Sequence, residues 1–420
     1  MERNYFVVGL IMLTFFVISF LTNIIGPLVP EIIEDFDLSL TLVALLPFAF
    51  FIAYGVTSIP AGMLVERYSA KRVTVAAFAL AFCGALLLAM YPYYLMAIVS
   101  LFLIGTGMAM LQVALHPVLR VAGGEEHFAF NSVLGQLFFG LASFLSPLVY
   151  SYLVLNLAQG GDQNFLLDLL AAVVPPDLPW ISLYWIFAAV CLVMIGVLTV
   201  SPIPSIDLAD DEQVGPMATH FDLLKRPLVI LYFIGIFCYV GTEQGVANWM
   251  SEFLSSYHGF DPRTEGAAAV SLFWGLMTAG TLLGLLALKL MDSRHVLIIF
   301  SAAAIISFST GLFGPADVAR YALPAVGFFI SVMWSVIFSL ALNSVTEHHG
   351  SFSGILITGI IGGAVLPLVV GWIGDLAGLR IGMLFLYVTM GYILAIGLWA
   401  DPLITNKTIS VQESTARDLT

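Results

Sequence analysis

The feature that most constrains this chain is a succession of twelve apolar segments, each long enough to cross a lipid bilayer. A helical crossing takes about 20 apolar residues. Hydrophobic residues make up 60% of the 420 positions and charged residues only 10%, whereas a soluble domain has about a quarter of its residues charged. The sequence therefore excludes a soluble protein and predicts an all-α membrane protein with no separate water-exposed catalytic domain. The predicted spans are 5–29, 40–64, 73–92, 95–119, 129–155, 181–203, 228–254, 266–290, 295–313, 319–345, 352–374 and 381–404.

Charged residues are distributed unequally between the two sides of this predicted bundle. All basic residues except Arg263, Arg320 and Arg380 fall on the side that carries both termini. The loops around 31–37 and 162–177 contain acidic residues and no Lys or Arg. The positive-inside rule then places both termini in the cytoplasm, and we expect a bacterial inner membrane. A net charge of −13 argues against nucleic acid as a partner.

A charged connection at 204–226 divides the chain into two halves with six predicted spans each, 1–203 and 227–420, the second ending in a short cytoplasmic tail. Phe36–Asp37 is repeated at Phe260–Asp261, and Pro147–Leu148–Val149 is repeated at Pro367–Leu368–Val369. Because these matches have similar offsets and equivalent positions, we expect a parallel duplication. The sequence thus predicts two pseudo-symmetric six-helix bundles around a central site.

Glu243 is the one acid that falls deep inside a predicted span. An ionisable group in a bilayer is costly, and such a group is by default a candidate functional residue. Tyr239 lies four residues earlier on the same helical face. Gly241 and Gly245 flank the acid and would allow the helix to unwind. We interpret Glu243 as the site of cation coupling; the alternative is a protonated acid that serves packing alone.

Neutral polar residues and tryptophans inside the spans are the candidates for substrate binding. Amides and imidazoles offer donors and acceptors without charge, which suits a polyhydroxylated ligand. As alternatives, the polar groups could form hydrogen bonds that hold helices together, Asn23 could lie in the membrane interface, and the tryptophans could serve packing. The candidates are Asn23, Gln112, His116, Asn131, Gln136, Tyr239, Gln244, Asn248, Trp249, Trp274 and Trp334.

Charged residues follow the second predicted span at Glu66, Arg67, Lys71 and Arg72. They are candidates for a cytoplasmic gate, although topology alone would also explain them. The run 347–349, with one Glu and two His, has no further ligand at metal spacing, so we expect a solvated loop and no metal site. The three cysteines lie in apolar runs and predict no disulfide.

Several stretches of the sequence match a known pattern. They are Gly62–Arg72, Phe20–Pro30, Gln112–Pro117, Phe237–Gly241, Ile360–Gly363, Pro367 and Gly371–Gly378. The first is similar to the Gly-x-x-x-Asp-Arg-x-Gly-Arg-Arg motif of the major facilitator superfamily, and the others resemble, within it, the fucose/glucose/galactose symporter family. The resemblance covers nearly the whole chain and implies twelve helices, a sugar substrate and a gate at the charged loop.

The chain departs from that family at two positions. Proton-coupled carriers that it resembles have an Asp in the first span and a Glu in the fourth, where this sequence has Gly26 and Gln112. This departure favours Na⁺ over H⁺ as the coupling ion, although both stay open. We predict a monomeric secondary transporter for cation-coupled symport of a neutral hexose, without cofactor or enzymatic activity. The alternatives are proton-coupled efflux of a drug or metabolite and passive sugar facilitation.

Overall fold

The computed structural model describes residues 4–123, 128–159, 164–201, 217–345 and 349–403. Within these ranges twelve helical spans are long and apolar enough to cross a membrane, which confirms the predicted number. In chain order, spans 1 to 12 are Tyr5–Phe36, Leu40–Ser58, Ala70–Met90, Tyr94–Leu115, Leu134–Leu157, Pro179–Val200, Pro227–His258, Pro262–Leu290, Ser293–Phe313, Ala316–Leu342, Ser351–Ala377 and Leu379–Trp399.

Several helices are longer than their apolar core. The helices of spans 2, 4 and 5 run over Leu40–Tyr68, Tyr94–Gly123 and Phe128–Gln159. Two short helices lie outside the spans, at Phe165–Ala171 and Met217–Leu224. The second of them occupies part of the predicted linker, and residues 202–216 of that linker lie outside the described ranges.

Span 1 is a broken helix, with one part at Tyr5–Thr22 and a second at Ile25–Phe36. Asn23 and Ile24 form the break. Pro27 supplies the physical reason, because its nitrogen carries no hydrogen and cannot bond to the carbonyl of Asn23 four residues earlier. The second part also extends past the predicted end at residue 29 and stops at Asp37, which has a left-handed backbone with φ of 51°.

Span 11 is interrupted as well, by a single 3₁₀ turn at Gly359–Ile361 between helices His349–Thr358 and Gly362–Ala377. Span 7, by contrast, is one continuous helix, Pro227–His258. The expected unwinding at Gly241 and Gly245 is therefore wrong. A Cβ at Gly241 would lie 2.0 Å from the Leu366 side chain, so this glycine serves close packing against span 11.

Packing repeats between the halves. In the first half, spans 1 and 5, 2 and 4, 3 and 4, and 3 and 6 are in contact; in the second half the corresponding pairs are 7 and 11, 8 and 10, 9 and 10, and 9 and 12. The halves meet through spans 2 and 11 and, equivalently, through spans 5 and 8. The contacts thus follow the same pseudo-symmetric pattern as the sequence repeat.

The first and last described residues lie at one end of the bundle, which we call the terminal end; the opposite end is the distal end. The Asn4 amide donates to the Ala122 carbonyl and the Leu403 amide to the Asn343 carbonyl, at the ends of spans 4 and 10. Span 1 therefore runs from the terminal to the distal end. The direction alternates from each span to the next.

Candidate substrate cavity

A cavity of about 270 Å³ lies between the two halves. This volume is near the lower end of the range for small-molecule sites, which begins at about 300 Å³. Its walls come from spans 1, 2, 4 and 5 of the first half and from spans 7, 8, 10 and 11 of the second. The break in span 1 and the 3₁₀ turn in span 11 both contribute, through Asn23 and Ile360.

The cavity brings together most of the residues that the sequence singles out. Glu243 and seven of the polar and aromatic candidates line it, although the first and the last of them, Asn23 and Trp334, lie far apart in the sequence. Predicted residues in the lining are Asn23, Gln112, Gln136, Tyr239, Glu243, Gln244, Trp274 and Trp334.

Glu243 is held by two neutral donors from its own helix. The Tyr239 hydroxyl donates to Oε2 at 2.6 Å, and the Gln244 amide donates to Oε1 at 3.0 Å. Glu243 is the only Asp or Glu among the lining residues, and none of them is Lys or Arg. The cavity thus contains a carboxyl group without a cationic partner, an arrangement that favours binding of a cation or a proton.

The first half contributes a hydrogen-bonded amide at the break in span 1. The Asn23 side-chain amide donates to Ser143 Oγ in span 5 at 2.8 Å. Ser143 Oγ lies 2.6 Å from Ser19 Oγ, and Ser19 Oγ donates to the Phe139 carbonyl at 2.5 Å. This network fixes the orientation of Asn23, which is buried. The interfacial position that we considered for Asn23 is therefore excluded.

Aromatic rings form part of the second wall. The Trp334 ring lies 6.0 Å from the Tyr239 ring and stacks on Phe338 at 5.9 Å between centroids. Trp274 also lines the cavity and packs edge to face on Phe273 at 5.1 Å. Opposite them, the Gln112 amide reaches the Tyr54 hydroxyl at 3.4 Å.

Three predicted residues lie away from the cavity lining, and a fourth is not described in full. Trp249 points toward span 11, where its indole nitrogen donates to the Pro367 carbonyl at 3.1 Å, so it packs between helices. Asn248 is buried one turn beyond Gln244, past the end of the cavity. Asn131 is buried but does not line it. The side chain of His116 is outside the described part of the structure.

Sequence reasoning missed the hydroxyl groups of the lining. These side chains give no periodic signal, because a Ser or Thr in an apolar helix can bond to a carbonyl of its own preceding turn. Thr278 does so, donating to the Trp274 carbonyl at 2.9 Å. Two of them had an indirect signal: Pro147, one turn after Ser143, belongs to the sequence repeat, and Thr22 directly precedes Asn23 and is related to Thr242 by the same offset. The missed hydroxyl residues are Thr22, Tyr54, Ser143, Thr278, Thr281, Ser331 and Ser335.

Polar contacts join the two halves at the distal end. Both carboxylate oxygens of Asp375 in span 11 accept from the first backbone amides of span 2, those of Leu40 and Thr41, each at 2.8 Å. The Arg263 guanidinium of span 8 binds both carboxylate oxygens of Glu31 in span 1, one of them at 3.0 Å. Glu31 is buried, whereas the Arg263 side chain is partly exposed, so the pair lies at the surface where the halves meet.

The terminal end has a different arrangement. The lining residues come from the middle and the terminal half of their spans, and Gln136 near the start of span 5 is exposed. Of the predicted gate residues, Lys71 donates to the carbonyls of Thr199 and Ser201 at 2.8 and 2.7 Å, within its own half. Arg67 lies over the adjacent Tyr68 ring. Arg72 is exposed, and the Glu66 side chain is outside the description. Among the described residues, the cavity lining thus extends toward the terminal end and not toward the distal end.

Comparison with known proteins agrees with this architecture. The profile of the Major Facilitator Superfamily matches residues 11–360. A glucose/galactose transporter of Brucella abortus is 31% identical over 407 residues, which cover 94% of this chain and 95% of that protein. An L-fucose-proton symporter of Escherichia coli is 24% identical over 398 residues, or 90% of this chain and 89% of that protein.

Solved structures share the fold. The E. coli fucose:proton symporter FucP has a TM-score of 0.67 at 22% identity, covering 95% of this chain and 100% of that one. A bacterial homologue of the human lysosomal transporter Spinster, in an inward-facing and occupied conformation, has a TM-score of 0.77 at 15% identity and covers 95% and 97%. With its twelve spans, two equivalent bundles and central cavity, this chain belongs to the Major Facilitator Superfamily, in the family of the Brucella glucose/galactose transporter.

Proposed function

We propose that this protein is a secondary transporter that carries a neutral hexose together with a proton. The observation that carries the proposal is the composition of the central cavity, which has one carboxylic acid, several amides, two tryptophans and no Lys or Arg among its lining residues. An anionic substrate would require a cationic partner. The names of the relatives in Brucella and E. coli support a sugar as the substrate.

The two walls suit the two faces of a pyranose. Amides such as Asn23 and Gln112 can both donate to and accept from sugar hydroxyls. Indole rings such as Trp274 and Trp334 offer apolar surface for the C–H face of the ring, with a polar N–H at the edge. This combination of apolar walls and a few fixed polar groups is typical of small-molecule sites.

For the coupling ion we favour H⁺, which reverses the preference for Na⁺ drawn from Gly26 and Gln112. Both Glu243 oxygens already accept hydrogen bonds from neutral donors, and a proton can add to the carboxylate without displacing them. Na⁺ needs several oxygen ligands, whereas the two side chains that bond to Glu243 both present hydrogens to it. The name of the E. coli proton symporter is a second line of support.

Transport then proceeds by alternating access, with the two halves rocking around the cavity. The excess of basic residues at the terminal end supports a cytoplasmic position for that end. With this orientation we interpret the structure as an inward-open state whose outer side is closed by Glu31, Arg263 and Asp375. In the outward-open state we expect Glu66, Arg67, Lys71 and Arg72 to contribute to closure of the cytoplasmic side.

Uptake into proteoliposomes tests the function. A panel of hexoses, pentoses and disaccharides is supplied with an imposed pH gradient, an imposed Na⁺ gradient, or neither. We expect a hexose to accumulate with the pH gradient alone. Accumulation with the Na⁺ gradient alone would show that the coupling ion is Na⁺ and not H⁺. Equilibration of the sugar without accumulation would identify a passive facilitator. Proton-driven export of a non-sugar would contradict the proposed substrate.

A further inference from the structure

A polar stripe runs along span 7 from the cavity to the distal end. Gln244, Asn248, Ser251 and Ser255 are spaced four, three and four residues apart, which places them on one helical face. Gln244 lines the cavity, whereas Asn248 and Ser251 lie beyond it. A continuous polar stripe in a membrane helix is costly unless it contacts water, ligand or polar partners.

Two members of this stripe have polar atoms that are not satisfied. Asn248 is 5% exposed and Ser251 is 0% exposed. Neither Asn248 Nδ2 nor Ser251 Oγ has a hydrogen-bond partner among the residues that the structure describes. An unpaired buried donor is costly, so each of these groups requires an explanation, and a ligand bound in another conformation supplies one.

The stripe is covered by the second helix of span 1, Ile25–Phe36, at Asn248. At Ser251 the start of span 8 also covers it, because a Cβ at Gly266 would lie 2.3 Å from Ser251 Oγ. A Cβ at Gly26 would lie 2.4 Å from the Ala247 carbonyl oxygen and 3.4 Å from the Asn248 Cα, so the two backbones are in direct contact there. An acid at this position, as in the resembling proton-coupled carriers, would not fit in this state. Glycine at position 26 is thus required for close covering of the stripe.

The covering helix has a hinge at one end and a latch at the other. Its hinge is the break at Asn23 and Ile24, which Pro27 leaves without a helical hydrogen bond. Its latch is the ion pair between Glu31 and Arg263. The hinge residue Asn23 also lines the cavity, so contact with a sugar there would act directly on the covering helix.

We propose that the stripe is a second, transient sugar-binding site on the access path from the distal side, with the helix Ile25–Phe36 as its lid. When the lid separates from span 7, Asn248 and Ser251 hydrogen-bond to the hydroxyls of a neutral sugar on its way to Gln244 and the cavity. This inference rests on the proposed function for the identity of the ligand, but not for the movement of the lid.

Thiol labelling in proteoliposomes tests the site. Ser251→Cys is introduced into a chain whose own three cysteines are replaced, and a membrane-impermeant maleimide is applied from the distal side. Breaking the latch with Arg263→Gln or Glu31→Gln is expected to increase the labelling rate about fivefold, the effect of roughly 1 kcal/mol on a two-state equilibrium. The hexose identified by the uptake panel should slow labelling by at least about threefold.

Matched controls come from the same chain. Ser301→Cys replaces another buried serine, whose hydroxyl has no hydrogen-bond partner among the described residues. It lies in span 9, outside the stripe and its cover, and should not react. Arg320→Gln removes a distal arginine that lies over Phe260 and does not bind Glu31, and should leave labelling unchanged. If neither latch variant changes the labelling rate at position 251, the proposed lid is wrong. If a transported sugar does not change that rate, the proposed site is wrong. Absence of any sugar uptake by the unlabelled protein would contradict the proposed function instead.

Discussion

The two walls of the cavity come from equivalent spans of the two halves but differ in chemistry. The first-half wall offers neutral groups from spans 1, 4 and 5, with Asn23 anchored to Ser143. The second-half wall carries the carboxylic acid Glu243 and the two tryptophans Trp274 and Trp334. Both walls hold their polar groups by short hydrogen bonds, but among the described lining residues only the second wall contains a carboxylic acid.

The repeat makes this difference informative. Asn23 and Glu243 are 220 residues apart (243 − 23), the same offset that relates Pro147 to Pro367. Positions related by this offset thus carry an amide on one wall and an acid on the other. We infer a division of roles, in which the first wall recognises the sugar and the second wall recognises both sugar and proton.

The largest expected effect is that of Glu243→Gln. This change removes the titratable group but keeps the shape and a hydrogen-bonding side chain, so pH-driven accumulation should fall to the equilibrium ratio of one. For one proton per sugar, the wild type should reach about tenfold accumulation per pH unit. Sugar counterflow without a gradient should persist. Glu252→Gln, an acid of the same helix outside the cavity lining, is the control and should accumulate normally.

Moving the acid to the other wall sharpens the comparison. The double variant Asn23→Asp, Glu243→Gln places a carboxylate at the equivalent position, where Ser143 and Ser19 would surround it and no tyrosine donor corresponds to Tyr239. We expect it to remain uncoupled, with an accumulation ratio near one in the same uptake assay. Recovery of accumulation would show that the walls are interchangeable and would contradict the division of roles.

Removing the amide alone should impair recognition more than coupling. Asn23→Ala deletes one or two hydrogen bonds to sugar at about 1 kcal/mol each, so the KM for uptake should rise about five- to thirtyfold. The accumulation ratio at saturating sugar should stay as in the wild type. Asn156→Ala, outside the cavity lining, serves as control. A lost proton dependence in Asn23→Ala would assign coupling to both walls.

The smallest expected effect concerns a feature that the halves share. Lys71 donates to the last carbonyls of span 6, and Arg294 donates to the Ala400 carbonyl after span 12 at 3.0 Å. A cation at a helix C-terminus stabilises by about 0.3–1 kcal/mol. Lys71→Gln and Arg294→Gln should therefore each lower the melting temperature by a few degrees or less, with sugar specificity unchanged. A much larger decrease in melting temperature for only one of the two variants would show that Lys71 and Arg294 do not have equivalent roles in the two halves.

Much of this organisation could be predicted from the sequence because it depends on regular patterns. Hydropathy predicted the number of spans. The isolation of Glu243 in an apolar segment made it a candidate residue, and it lies in the cavity lining. The repeat offset then led from Glu243 to Asn23 in the opposite wall. These inferences use position along a helix or between repeats, which the sequence records directly.

Other features depend on which way a helix face turns in the bundle. Trp249 follows the polar residue Asn248 but points to span 11, and only the packing against Pro367 shows this. Gly241 was expected to loosen span 7, yet it lets Leu366 approach. Ser143 carries no signal of its own, because its role arises from contact with Asn23, 120 residues away. Such details require the tertiary structure.

The most direct test of the central claim is the movement of protons that accompanies sugar. Purified protein is reconstituted in lightly buffered liposomes with an internal pH indicator, and hexose is added outside without any imposed gradient. The account predicts internal acidification by about one proton per sugar in the wild type and in Glu252→Gln, and none in Glu243→Gln despite measurable sugar movement. Sugar-dependent acidification that persists in Glu243→Gln would contradict the assignment of coupling to this wall of the cavity.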